Sequence, residues 1–131
     1  MIYFLKILLP LCGGNGDTNM DCLFCSIIKG EIPSTKVFEN EWVYAFKDIN
    51  PMAPVHILII PKEHIGGVDE LNESNVDVVK DIMLVAKHLA KSFNLDNGWR
   101  LVSNVGEDGG QTVRHLHFHL LGGKKLSVEL A

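Results

Sequence analysis

The sequence predicts an α+β fold, an antiparallel five-stranded sheet carrying one long and one short helix. Three observations predict it. Five short runs rich in apolar, β-branched and aromatic residues are separated by stretches holding Gly, Pro, Asn and Asp. From about Asn75 to Asn94 apolar residues recur three and four apart, as on one face of a helix. The strands also follow one another instead of alternating with helices, which sets the chain apart from parallel βαβ architectures. With 131 residues and 47 % apolar content, the chain supports one core and not two.

Taken in order, Phe24 to Lys29 is a short helix ended by Gly30, held off further helix by Pro33 and expected against the sheet edge. Lys36 to Asn40 and Trp42 to Lys47 are strands joined at a tight polar turn, with Val37, Val43, Tyr44 and Phe46 supplying β-branched and aromatic weight. Val55 to Ile60 is nearly continuous in apolar residues between Pro54 and Pro61, so it is expected as a central strand buried on both sides, with His56 inside it. The long helix has Ser74 as its expected N-cap, Asp77 near the positive end, and Lys87 and Lys91 toward the other. Its expected apolar stripe is Val76, Val79, Met83, Ala86, Ala90 and Phe93, with His88 toward solvent. Trp99 to Ser103 and His115 to Leu121 complete the sheet, separated by a glycine-rich loop from Asn104 to Thr112.

The formal net charge is −4 and the basic residues are scattered, so there is no electrostatic footprint for a nucleic-acid backbone. Small ligands are the expected partners. Three cysteines, two of them in Cys22-Leu23-Phe24-Cys25, are too few for a disulfide framework and fit a reducing, cytoplasmic setting. The apolar stretch Met1 to Cys12 is too short to span a bilayer, and Lys6 within it breaks the pattern of an export signal. Residues 1–19 are therefore expected to be a disordered or dispensable extension, and residues 20–131 the single domain.

The chemistry concentrates at Arg114-His115-Leu116-His117-Phe118-His119, where three of six histidines alternate with apolar residues. Strand spacing would set His115, His117 and His119 on one face, and Leu116, Phe118 and Leu120 toward the core. One zinc ion cannot gather all three. His115 and His119 would start about 13 Å apart along an extended strand, whereas zinc–nitrogen bonds are about 2.0–2.1 Å. Nucleophilic or acid–base work is the alternative, because neutral imidazole is a good nucleophile near neutral pH. Gly106, Gly109 and Gly110 in the preceding loop would let backbone N–H groups approach an anion, with Gln111 and Thr112 adding side-chain donors. A phosphorus centre is the expected target. Cys22 and Cys25 alone leave three readings open: a metal site, a redox pair, or two buried thiols.

The run from Gly109 to Gly123 resembles the signature of the histidine triad family, in its histidine triad nucleotide-binding branch. The likeness extends from about Asp21 and includes Cys22-Leu23-Phe24-Cys25, Gly30-Glu31-Ile32-Pro33, Asp48-Ile49-Asn50-Pro51 and the stretch from Ala53 to His64. The resemblance implies a homodimer with its two sheets joined, each subunit binding a purine nucleoside monophosphate, and hydrolysis of nucleoside phosphoramidates. By position His117 resembles the nucleophile and His119 the phosphate-binding histidine. Asn104, Gly110, Gln111 and Thr112 match the phosphate contacts, and Thr112 keeps the hydroxyl where many relatives have serine. Asp48 falls where the ribose hydroxyls bind; Phe24, Ile27, Phe46 and Ile49 match the base pocket; and His56 corresponds to a fourth active-site histidine. Cys22 and Cys25, with His64 and His115, resemble the structural zinc ligands of many bacterial members; no organic cofactor is implied.

The expected function is thus a purine nucleoside phosphoramidate hydrolase, also acting on acyl or aminoacyl adenylates through a covalent nucleotidyl-histidine. A dinucleoside polyphosphate hydrolase is the alternative within the family, and a nucleotide-binding regulator with incidental hydrolysis the alternative outside enzymology. After Gly123 the sequence departs from the animal pattern, lacking its tryptophan- and proline-containing tail. Choice of leaving group is the property this departure affects.

Overall fold

β-branched and aromatic runs form five strands in the expected order, the last starting three residues later than expected, and their apolar alternation decides which layer each face meets. The computed structural model describes residues 22–129; the expected extension over residues 1–19 lies outside them. Helix α1 is Leu23–Ile28, strands β1, β2 and β3 are Lys36–Glu39, Val43–Lys47 and Val55–Pro61, helix α2 is Asp77–Ser92, and strands β4 and β5 are Trp99–Val102 and Phe118–Gly122. The sheet order is β1-β2-β3-β5-β4, and every neighbouring pair is antiparallel.

β3 lies at the centre and is buried from His56 to Pro61, as its unbroken apolar run requires. Its period of two sends Leu58 and Ile60 to one face with Tyr44 and Phe46, where they pack on Phe24, Cys25 and Ile27 of α1. Ile57 and Ile59 go to the other face with Val43, Ala45 and Leu120, against Ile82, Val85, Ala86 and Leu89 of α2. The short helix therefore covers a face of the sheet and not its edge, because Phe24 and Ile27 need the large apolar surface that only β2 and β3 offer.

The long helix is shorter and rotated relative to expectation. Ser74 does not cap it. Asn72 Oδ1 instead accepts from the backbone of Ser74 and Asn75, at 2.8 and 3.1 Å, closing a turn before the first helical residue. The core stripe is Ile82, Val85, Ala86, Leu89 and Ala90, so Ala86 and Ala90 hold their expected places while Val76 and Met83 are exposed. Asn94 ends the helix at φ 57°, where the Leu95 amide reaches the Ala90 carbonyl at 2.9 Å. His88 is exposed as expected, its ring edge against Phe38. Among the described residues no helix is long and apolar enough to cross a membrane.

Candidate active site and metal centre

The three alternating histidines do not share one strand face. β5 begins only at Phe118, one residue after His117. Its register with β3 pairs Ile59 with Phe118, so continuing it would set Pro61 opposite Leu116. Pro61 has no N–H to donate, and the ladder stops. The Leu116 amide turns to the Ile65 carbonyl at 2.6 Å, and the His115 amide to the Val113 carbonyl at 2.9 Å. His115 is thereby carried away from the other two into a separate cluster. Leu116 and Leu120 are fully buried as expected, and Phe118 partly so.

His117 and His119 stay together, their ring centroids 5.1 Å apart, on the sheet face that α1 covers. Hydrogen bonding fixes their protons. His117 Nδ1 lies 2.7 Å from the His115 carbonyl oxygen, which can only accept, so Nδ1 carries the proton and Nε2 keeps a lone pair. Burial holds the ring's pKa below the ordinary imidazole value, and Phe24 packs edge-on at 5.1 Å. His56 Nδ1 accepts from the Met52 amide at 3.0 Å, which puts the His56 proton on Nε2. That proton is donated to His119 Nδ1, 2.9 Å away, so His119 carries its own proton on Nε2. Burial first, then the neighbouring His117 and His56, bring His119 down to about 4. Burial also lowers His56, partly offset by Asp48.

Asp48 stands at the end of this chain, with Oδ2 3.4 Å from His56 Nε2 and Oδ1 accepting from the Asn50 amide at 2.8 Å. Asp48, His56 and His119 bring three donor atoms within 4.8 Å of one another, as a metal site would. Proton placement argues against a metal there. With the His56 Nδ1 lone pair committed to Met52, Nε2 must keep its proton and has nothing to offer a cation. The arrangement is a hydrogen-bond chain.

The other expected contacts divide. Gly106 and Gly110, at φ 72° and 84°, take left-handed conformations that shape the loop, and Asn104 and Thr112 lie along it, half-buried and exposed. Gln111 is spent inside the loop. Its Oε1 accepts from the Gly106 amide and from Arg114 at 3.0 and 2.9 Å, while Nε2 donates to the Gly66 and Val113 carbonyls at 2.7 and 2.9 Å. Phe24, Ile27 and Phe46 form part of the core beneath the histidines, whereas Ile49 stands 87 % exposed and apart from that cluster. Sequence reasoning missed three participants: the Met52 amide, the Ser103 hydroxyl that donates to the His117 carbonyl at 2.7 Å, and Arg114. A backbone amide leaves no trace in residue type. Arg114 and Ser103 stand beside recognisable motifs, which was the only available signal.

His115 is fully buried against the CxxC motif. Its Nε2 donates to the Pro61 carbonyl at 2.9 Å, leaving Nδ1 with a lone pair 3.3 Å from Cys22 Sγ and 3.6 Å from Cys25 Sγ. His64 Nδ1 lies 3.4 Å from Cys25 Sγ, and all four donor atoms fall within 4.8 Å of one another. Cys22 is the N-cap of α1 and Cys25 sits in its first turn, which sets both sulfurs on one side. A tetrahedral zinc with ordinary bonds has sulfur–nitrogen edges of about 3.6 Å, close to these separations. The donor set fits zinc and, being complete at four, leaves no coordination position for a reactant.

Comparison with known proteins agrees with this geometry. The HIT domain family matches residues 29–126. A solved HIT family hydrolase from Clostridium thermocellum is 52 % identical with a TM-score of 0.82, over 85 % of this chain and 97 % of that one. A histidine triad nucleotide-binding protein from Candida albicans is 39 % identical with a TM-score of 0.76, over 85 % of this chain and 83 % of that one. A protein of Zea mays named a 14 kDa zinc-binding protein is 49 % identical over 107 residues, 80 % of this chain and 84 % of its own.

Proposed function

The chain belongs to the HIT domain family, and on that premise we propose that it hydrolyses purine nucleoside phosphoramidates, and acyl or aminoacyl adenylates, through a nucleotidyl-histidine. The observation that carries the reading is the tautomer of His117. The His115 carbonyl holds its proton on Nδ1, so a neutral ring offers the Nε2 lone pair to an electrophile. Solved relatives named as a hydrolase and as a nucleotide-binding protein support the reaction class.

In the first step Nε2 of His117 attacks phosphorus, a nitrogen–phosphorus bond forms, and the bond to the leaving amine breaks with its electron pair staying on the amine nitrogen. The proton that nitrogen needs comes from solvent, because a neutral His119 that gave up its Nε2 proton would be left an imidazolate; His119 instead turns its Nε2–H, beside His117, to a phosphoryl oxygen. Water then cleaves the nucleotidyl-histidine, giving a nucleoside monophosphate and returning His117 to its neutral form. Asn104, Gly110 and Thr112 are assigned to the phosphate, with Gln111 shaping their loop; Asp48 is assigned to the ribose hydroxyls. Ile49 closes over the base, above a floor containing Phe24, Ile27 and Phe46.

Cys22, Cys25, His64 and His115 would hold a structural zinc, supported by the name of the Zea mays relative. A second copy of the chain would pair along β4, an outer strand of the described sheet whose Trp99 is 41 % exposed. Turnover of adenosine phosphoramidate against diadenosine triphosphate tests the reaction. Preference for the phosphoramidate is expected. Preference for the dinucleotide would select the family alternative, and tight nucleotide binding without turnover the regulatory one.

A further inference from the structure

Residues 113–117 carry His115 and His117 but precede β5, so no strand ladder fixes them. A seam against residues 65–70 does so instead. The Leu116 amide meets the Ile65 carbonyl at 2.6 Å, and Gln111 Nε2 meets the Gly66 carbonyl at 2.7 Å. Arg114 spans the seam. Its Nη1 donates to Gln111 Oε1 at 2.9 Å, while Nη2 donates to Asp69 Oδ2 at 2.9 Å and Glu70 Oε2 at 3.3 Å. Glu70 turns its other oxygen to the Gly66 amide at 2.8 Å.

The backbone opposite is cut to receive this guanidinium. A Cβ on Gly66 would stand 2.8 Å from Arg114 Nε, and one on Gly67 2.7 Å from Nη1. A side chain at either position would displace the guanidinium and the Glu70 and Asp69 carboxylates that meet it there. The ion pairs themselves do little for stability, since the side chains of Arg114, Asp69 and Glu70 are 37 %, 50 % and 47 % exposed. Their geometric effect is larger. Three acceptors on two chain segments are met by one rigid fork, which a lysine ammonium could not reproduce. The residue after Arg114 supplies the carbonyl that keeps the His117 proton on Nδ1.

We propose that Arg114 is a positioning residue: by clasping Gln111, Asp69 and Glu70 it holds the His115 carbonyl where it fixes the tautomer and direction of the His117 ring. The effect on turnover rests on the reading of His117 as nucleophile, whereas the effect on the ring does not. Two variants separate these claims, Arg114→Met and the milder pair Asp69→Asn/Glu70→Gln, which removes the two negative charges while each side chain keeps an acceptor oxygen. Nitrogen-15 NMR of the imidazoles reads the His117 Nδ1–H directly, with no substrate present.

In Arg114→Met that proton should exchange with solvent roughly ten-fold faster or more, and kcat on adenosine phosphoramidate should fall about ten- to a hundred-fold, as for a misplaced reacting group. KM should stay within about three-fold, because the loss lies in the reacting geometry and not in uniform binding. The acid pair should move both readouts the same way by less. A folded Arg114→Met with an unchanged His117 signal overturns the proposal, as does a loss confined to KM. Should Arg114→Met fail to fold, an unchanged His117 signal in the acid pair overturns it equally. Absence of wild-type turnover would sink the functional reading alone, and the imidazole spectrum would still decide the role of Arg114.

Discussion

One carbonyl oxygen determines what His117 can do. Because the His115 oxygen accepts from Nδ1 at 2.7 Å, the reactive nitrogen is available without a deprotonation step. His117→Ala should therefore remove turnover while nucleotide binding, measured by calorimetry, changes little. Residual turnover near the wild-type rate would exclude His117 as the nucleophile. Asp48 makes a different kind of contact, and Asp48→Ala should weaken ribonucleotides by about 1.5–3 kcal/mol, the range for a hydrogen bond to a charged group. Deoxyribonucleotides lacking the 2′-hydroxyl should lose less. Equal loss for both would mean that Asp48 serves its contacts to Asn50 and His56 and not the ribose.

Acid should act through the same rings. His119 sits at about 4 in the folded chain, against an ordinary value of 6.5. The unfolded chain therefore binds a proton over an interval in which the folded one does not, and folding stability falls as pH drops from about 6.5 toward about 4. His117 and His56, also lowered by burial, act in the same direction. His119→Asn removes one such proton uptake. Its unfolding midpoint should decline less steeply with acid than that of the wild type over this interval, and parallel declines would contradict the assignment.

At the scale of elements, composition and period made the sheet legible. The apolar run of β3 gave its central place, and β-branched residues located β1 and β2 to within a residue or two. The chain was less legible wherever a backbone partner decided the outcome. His115 carries the same alternation as His117 and His119, yet the missing N–H of Pro61 ends the ladder before it. Similarly, Ser74 looks like a cap, but Asn72 reaches the free amides first. For α2, counting from Val76 rotated the stripe, because the sheet below selects Ile82, Val85 and Leu89. Ile82 is fully buried, so Ile82→Ala should lower stability by about 2–5 kcal/mol in a urea titration. A change below 1 kcal/mol, a typical surface effect of roughly ±0.5 kcal/mol, would mean that α2 does not lie on this face.

For the whole molecule, the histidines fall into two separate clusters. His115, set apart from His117 and His119, joins a four-donor group that can crosslink α1 to the segments around His64 and His115. Elemental analysis of reduced protein should find about one zinc per chain, as a closed tetrahedral site requires. Cys22→Ser/Cys25→Ser should lose it together with several degrees of the unfolding midpoint, since an unfolded chain cannot preassemble the site. Chelation that abolished turnover at unchanged stability would place the metal in the reaction instead. Motif resemblance pointed to these four residues as a group, although strand spacing alone would have kept His115 beside His117 and His119. Their separation into two clusters became visible only in three dimensions.

The central claim is that His117 carries the nucleotidyl group. Rapid quench into alkaline denaturant during turnover of a slowly hydrolysed adenosine phosphoramidate, followed by peptide mass spectrometry kept out of acid, measures this directly. An adenylyl mass increment on the peptide containing His117, localised by fragmentation to that residue and absent from His117→Ala, is the predicted result. An adduct on His119 or His56, or turnover with no adduct at any time point, would contradict it.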